Sequence, residues 1–549
     1  MKDDKKTPVD ESAAAAQANQ AAPDGEHDAR NMPERLSWLQ DAGFGIFIHW
    51  SMDSQLGCVI SHTLVGASAD YQRRFYEDLP KSFNPFRWNP RELVALARLA
   101  GARYMVFTTK HHSGFCMWDT ATTDFNIMQT PYGRDIVAEY VATAREGGLA
   151  VGFYYSPEDW WFQRENGLPI RRLALDADGH RAPYCETLTG AVRERYEAHI
   201  RSQCTELMTR YGPIDILFFD GGLNEPAKET CWRLQPRILI TRGAVPTPEQ
   251  TVPGLPLPGA WEANLTMGTQ WHYKPTNEQY KSGTRLIEIL IETRAKGGAM
   301  LLNLGPKPDG SLPEEQEARL REVALWHFAV GEAIHDTRPW VVTNEGPIWF
   351  TRHRDADTVY AFLTGQQDWG RGTRREFVLG SVRSSDETEV SVLGQSSELC
   401  EYMPGLDASC RWTEKEDGLH VSIVRAHRLY NNGRWPNPVV VKLTRVQPAL
   451  SPPQARTVGV SAGRVTGALL SKGDAESVSV GFEYRPYAGF VEELYASDWQ
   501  RLPASPPDPR GEFSADLPDL APGTYQIRAV ACTARVTMHG GHVRFTKKA

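Results

Sequence analysis

The stretch Ile214-Asp-Ile-Leu-Phe-Phe-Asp220-Gly-Gly222 constrains this chain most. Five of six residues before Asp220 are apolar, the pattern of a strand buried on both faces, as in a parallel sheet. Gly221 and Gly222 then permit a sharp turn. Asp220 therefore falls where a buried strand opens onto a loop, the edge at which parallel α/β folds bind ligands. On this stretch alone, an Asp that caps a helix or makes an Asx turn fits equally well.

The neighbouring sequence repeats the pattern. Gly45-Ile-Phe-Ile-His49-Trp50, Tyr104–Thr109, Val151–Tyr155, Ile214–Phe219, Arg237–Thr241 and Gly298–Leu304 read as strands. Helical patterns intervene at Arg91–Ala100, Asp135–Glu146, Thr189–Tyr211, Ser282–Lys296 and Pro313–Ala333. The alternation predicts an α/β fold, a (β/α)8-like barrel over residues 32–340, with an open doubly wound sheet as the competitor. No G-x-G-x-x-G follows a strand, which disfavours a dinucleotide fold. Beyond Trp340 short alternating segments predict a β-sandwich over 341–449. The Pro-rich break at Leu450-Ser-Pro-Pro453 leads into a fibronectin type III-like β domain over 454–549.

A length of 549 residues requires several domains. The net charge of -8 gives no reason to expect nucleic acid or an anionic membrane as partner, and no apolar run reaches the length of a membrane span. The eight cysteines form no C-x-x-C pair, so neither a zinc ribbon nor a dense disulfide framework is expected. Residues 1–31 read as a disordered tail without the apolar segment of a secretory signal. A cytoplasmic location is slightly favoured, with secretion open if a longer leader exists. With 16 Trp and 19 Tyr the chain is rich in the flat, polar-edged rings that suit sugars.

Polar and aromatic groups cluster at the strand ends: His49 and Trp50; Lys110, His111 and His112; Tyr154 and Tyr155; Asp220; and Trp261, Glu262, Trp271 and His272. Such ends form one mouth in this architecture. Adjacent His111 and His112 on a strand would point to opposite sides. No H-x-H or H-E-x-x-H accompanies them, so neither a metal nor another cofactor is expected. Asp220 and Glu262 instead suggest the carboxylate pair of a glycosidase, with Trp261 and Trp271 raising the Glu262 pKa by desolvation.

The motifs resemble family 29 of the glycoside hydrolases, the α-L-fucosidase family. The resemblance is carried by Gly45–Trp50, Phe83-Asn-Pro85, Ala100–Tyr104, Thr108-Thr-Lys110-His111-His112-Ser-Gly-Phe115, Tyr154-Tyr-Ser156, Phe219-Asp220-Gly221, Trp261-Glu262, Trp271-His-Tyr273, and Lys296–Pro306 with Asp309-Gly310. These are collinear over residues 37 to about 340. The resemblance implies an exo-acting, retaining, metal-free fucosidase acting on a glycan or fucosylated small molecule. It makes Asp220 the nucleophile and Glu262 the acid/base, with Glu158, Asp159 and Glu225 as fallbacks. It assigns His49, His62, His111, His112, Tyr155 and Trp271 to sugar binding. One departure stands out: Ile60-Ser-His62 replaces a Glu-Trp pair common in the family, so His62 is either a substitute ligand for a hydroxyl or a structural loop residue. An α-L-galactoside substrate, a catalytically inactive carbohydrate-binding protein and a metal-dependent hydrolase are the alternatives.

Overall fold

The computed structural model describes residues 30–171, 188–366, 368–430, 437–487 and 498–548. The expected N-terminal tail lies almost entirely outside them. Among the described residues, no helix is long and apolar enough to cross a membrane.

The N-terminal part is a curled parallel sheet wrapped by helices. In chain order come α1 (Pro33–Ala42), β1 (Phe44–Ile48), α2 (Pro90–Leu99), β2 (Tyr104–Lys110), α3 (Ile136–Glu146), β3 (Ala150–Tyr155), α4 (Gly190–Arg210), β4 (Ile216–Phe219), α5 (Asn224–Leu234), β5 (Leu239–Ile240), β6 (Glu262–Thr266), α6 (Gly283–Ala295), β7 (Ala299–Leu304) and α7 (Glu314–Val330). The seven strands lie in the order β5-β4-β3-β2-β1-β7-β6. Every pair is parallel, so all C-terminal ends share one rim. Residues 246–250 add a short stretch along the outer edge of β6 through a parallel bridge between Glu249 and Asn264.

Local chemistry sets the boundaries. Asn89, Asp135 and Ser282 cap α2, α3 and α6 by accepting from backbone N–H groups of the first turn. Alternation along the strands then separates two apolar layers. Phe47, Tyr104, Val106, Tyr154, Ile216, Phe218, Ala299 and Leu301 pack inside the curl, closed below by Leu39 and Ala42 of α1. Their strand neighbours Ile46, Met105, Phe107, Phe153, Tyr155, Leu217, Phe219 and Leu302 pack outward against the helices. Gly45 leaves room inside for the Tyr104 ring, which a Cβ there would meet at 2.3 Å.

Beyond the helices the chain is antiparallel β. A five-stranded sheet runs Glu389–Val392, Val439–Thr444, Thr358–Leu363, Ile348–His353, Thr337–Glu345, facing a three-stranded sheet across a core that includes Phe350, Leu363, Trp369, Val421 and Leu443. A second pair of sheets, of three and five strands, encloses Val465, Phe482, Phe513 and Ile527.

Arg294 ties the floor of the parallel sheet to this β region. Its fully buried guanidinium donates to Ile334 O (2.8 Å), Gln40 O (2.7 Å), Thr337 Oγ1 (3.1 Å) and Gly298 O. Burial lowers its pKa to about 10, so it stays charged at neutral pH. Arg294→Met would leave several buried carbonyls unpaired, and we expect it to lower the unfolding free energy by roughly 3 kcal/mol or more. Urea unfolding measures this; a loss below about 1 kcal/mol would contradict the role.

Candidate active site

The rim formed by the C-terminal strand ends gathers the inward-facing side chains. Asp220 follows β4 with the parity of Ile216 and Phe218, so its carboxylate turns inward. Tyr154 Oη donates to its Oδ2 at 2.8 Å, and His112 Nε2 lies 3.8 Å from the same oxygen. Arg242, just past β5, reaches Oδ1 at 3.4 Å. The other end of the same guanidinium bonds Glu249 Oε2 at 3.0 Å and Asn264 Oδ1 at 3.3 Å, and its carbon lies 4.6 Å over the Phe218 ring. Burial works against the Arg242 charge, but Glu249 and Asp220 outweigh it and hold the pKa above its ordinary value. One largely buried cation thus joins two carboxylates at the mouth.

Three imidazoles line the space beside Asp220. His49 Nδ1 bonds Asn303 Oδ1 at 2.6 Å, while Asn303 Nδ2 donates to Trp271 O at 2.6 Å. The amide oxygen must accept, so the His49 proton sits on Nδ1 and Nε2 is an acceptor. Burial pushes the His49 pKa down to about 3, which keeps the ring neutral. The His111 ring stacks on Tyr154 at 5.4 Å and 3°. Its pKa is driven well below the usual range by burial and by its neighbours His112 and His62. His112 Nδ1 bonds Ser156 Oγ at 2.6 Å. Trp271 closes one side, its ring 5.0 Å from His49.

The expected divergence of His111 and His112 does not occur. β2 ends at Lys110, so both histidines lie in the turn beyond it, where strand alternation no longer applies. Their rings converge at 4.3 Å, and one ligand atom from each of His111, His112 and Asp220 lies within 4.8 Å of the others. Ser61 braces this turn: its Oγ bonds His111 Nδ1 (2.8 Å) and accepts from Ser113 N (2.9 Å). Ser61 adopts φ +61°, held by Ser61 N donating to buried Asp53 Oδ2 at 2.7 Å. The unusual loop also brings His62 to the site, its ring 6.1 Å from His111 and 5.5 Å from His112.

Two expected residues lie elsewhere. Tyr155 has the opposite parity to Tyr154; its hydroxyl donates outward to Gln203 of α4 at 2.8 Å, and Lys110 Nζ sits 4.7 Å over its ring. Glu262 is the first residue of β6, and Tyr104 is the first of β2. The Tyr104 hydroxyl donates to Glu262 Oε1 at 2.6 Å, at the N-terminal end of the strands and therefore away from the mouth. Trp261 beside it is buried against Gly298. Lys110 also turns outward, to Asp159 at 2.9 Å in a fully buried pair. Arg242, Glu249 and Asn264 were not among the expected site residues. A signal for Arg242 was present, since it directly follows the predicted strand Arg237–Thr241.

The sequence profile of the α-L-fucosidase family matches residues 9–332. The chain belongs to the α-L-fucosidase family. Plasma α-L-fucosidase of Rattus norvegicus is 28% identical over 417 residues, covering 68% of this chain and 85% of the rat protein. Among solved structures, α-L-fucosidase isoenzyme 1 from Paenibacillus thiaminolyticus aligns with a TM-score of 0.59 at 26% identity, over 76% of this chain and 99% of that one. The Thermotoga maritima α-fucosidase in complex with fucose gives 0.56 at 26% identity, over 75% and 97%.

Burial raises the Glu262 pKa to about 7, with Tyr104 opposing the shift. A raised carboxylate pKa stabilises the fold fully below the unfolded value of 4.5 and loses that contribution as pH climbs through about 7. The total is roughly 3 kcal/mol. Glu262→Gln should therefore flatten the stability profile between pH 4.5 and 7. It should also leave turnover within about threefold of the parent, an effect of less than 1 kcal/mol on the barrier. Chemical unfolding at several pH values and a parallel activity assay check both.

Proposed function

We propose that the chain is an exo-acting, retaining α-L-fucosidase in which Asp220 is the nucleophile and Glu249 the acid/base. The observation that carries this reading is the Arg242 bridge between the two carboxylates. Both lie within reach of one guanidinium, as expected for carboxylates flanking a bond at the separations of about 5–9.5 Å that glycosidases use. Glu262 takes no part in the reaction; its place at the floor, hydrogen-bonded to Tyr104, supports a structural role.

In the first step Asp220 attacks the anomeric carbon and the glycosidic bond breaks. Glu249 gives its proton to the departing oxygen, and a glycosyl ester on Asp220 remains. In the second step Glu249 takes a proton from water, which displaces Asp220. Tyr154 holds the attacking carboxylate by its Oδ2 contact. The neutral rings of His49 and His111, with His112 and His62, offer imidazole nitrogens to sugar hydroxyls, and Trp271 covers an apolar face of the ring. Tyr154 takes the sugar-side place assigned to Tyr155 from sequence. The separate apolar cores support a division into a catalytic part over 32–340 and β domains over 341–449 and 454–549.

Asp220→Gly should abolish hydrolysis of an aryl α-L-fucoside, and azide should restore turnover as a fucosyl azide of inverted configuration. Glu249→Gln should slow hydrolysis of substrates with poor leaving groups by about 10²–10⁴-fold while sparing activated aryl fucosides far more. Unchanged turnover in either variant overturns its assignment. Because His111, His112 and Asp220 converge, the same assay with a chelator separates this mechanism from a metal-dependent one: activity should be unaffected.

A further inference from the structure

A second cleft lies away from the barrel mouth, where three parts of the chain meet. Its volume is about 350 Å³, in the size range of small-molecule sites. One wall is the C-terminal end of α6, with Glu292 and Lys296, together with the loop at Thr251–Pro256. A second is the hairpin carrying Trp340 and Trp349. The third belongs to the last β region and carries Arg485, Trp499, Arg528 and His542.

The polar groups of this cleft are organised. Trp499 packs against two guanidiniums, those of Arg528 at 4.1 Å and Arg485 at 4.5 Å from its ring centre. Its ring also lies 5.0 Å from that of His542. Arg528 is held from behind by Glu483 at 2.7 Å, which also lies 3.3 Å from His539. Lys296 bonds Glu292 at 2.6 Å and Pro253 O at 2.7 Å, and lies 5.6 Å over the Trp349 ring. Against this network one atom stands out. His542 Nε2 is buried and has no hydrogen-bond partner among the described residues. A buried imidazole nitrogen left unpaired is costly, and a ligand that bonds it removes that cost. Burial and then Lys296, Arg528, Arg485 and His539 drive the His542 pKa down. Among the described lining residues four cations, Arg285, Lys296, Arg485 and Arg528, face one carboxylate, Glu292.

We propose that this cleft is a binding site for an acidic saccharide, with the sugar ring against Trp340 and Trp349 and its carboxylate or sulfate directed at His542 Nε2 and Arg485. Indole faces bind the apolar side of a sugar ring, and a neutral N–H donor in a positive field favours an anionic acceptor. The inference does not rest on the chemistry assigned to Asp220, because no residue of the mouth lines this cleft.

The test is calorimetric titration of the full-length protein with 3′-sialyllactose, D-glucuronic acid and a sulfated monosaccharide, using lactose as the neutral control. L-Fucose is kept saturating throughout to occupy the barrel mouth. Binding of at least one acidic sugar with Kd below about 1 mM is expected, with lactose weaker by tenfold or more. His542→Phe, which keeps the ring and removes its nitrogens, and Trp349→Ala should each weaken binding at least tenfold, with aryl fucoside turnover within twofold of the parent. If either variant unfolds, Arg485→Gln replaces it in the same measurement. Equal affinity for lactose, displacement by L-fucose, or no binding by any acidic sugar at 10-fold this concentration overturns the proposal.

Discussion

The Arg242 guanidinium, buried between Asp220 and Glu249, is the interaction on which the site depends. Two carboxylates and an amide oxygen converge on it at 3.0–3.4 Å, beside the neutral imidazoles of His49 and His111. Bringing like charges together in a region of low dielectric is costly, and a shared cation offsets that cost. The cation itself needs a rigid seat. Phe218 beneath it and the strand-like segment 246–250 beside it supply one. The site is therefore built on the sheet and its edge rather than on free loops, which is how positional accuracy is kept for chemistry.

The sheet also sets two carboxylates of similar burial in different surroundings. Glu249 sits near the C-terminal rim, within reach of Arg242. Glu262 sits at the beginning of its strand, where Tyr104 donates to Oε1 and the other carboxylate oxygen, Oε2, has no partner among the described residues. Burial raises its pKa and outweighs Tyr104, Thr241 and the more remote Arg242 charge, which oppose the shift. A perturbed pKa alone would have singled out Glu262 as catalytic, since perturbed groups gather at active sites. Its position within the strand argues for structure instead.

Much of this was legible in the chain. The apolar runs with Gly-marked ends gave the parallel sheet, and the carboxylate after Ile216–Phe219 gave Asp220. His49, His111, His112 and Trp271 meet around it, as the strand-end rule requires. The errors share one cause. In Tyr154-Tyr155 the sequence offers two identical rings, and only the parity of β3 decides that Tyr154 faces Asp220 and Tyr155 faces Gln203. For His111-His112 the strand had already ended, so parity misled. Trp261-Glu262 reads as a strand end in the sequence, whereas Glu262 begins β6.

The sequence by itself determined the family, the strand–helix alternation and the nucleophile candidate, because these rest on local hydrophobic pattern and motif order. The tertiary structure decided which carboxylate shares a cation with Asp220, since Arg242, Glu249 and Asn264 meet only when the segment at 246–250 lies against β6. It also decided where Ser61 and His62 go. That loop is tied to the turn after β2 by the Ser61 hydroxyl, a contact across 50 residues. Long-range side-chain contacts of this kind have no signature in local sequence, because they depend on how the strands are stacked and not on what any one strand contains.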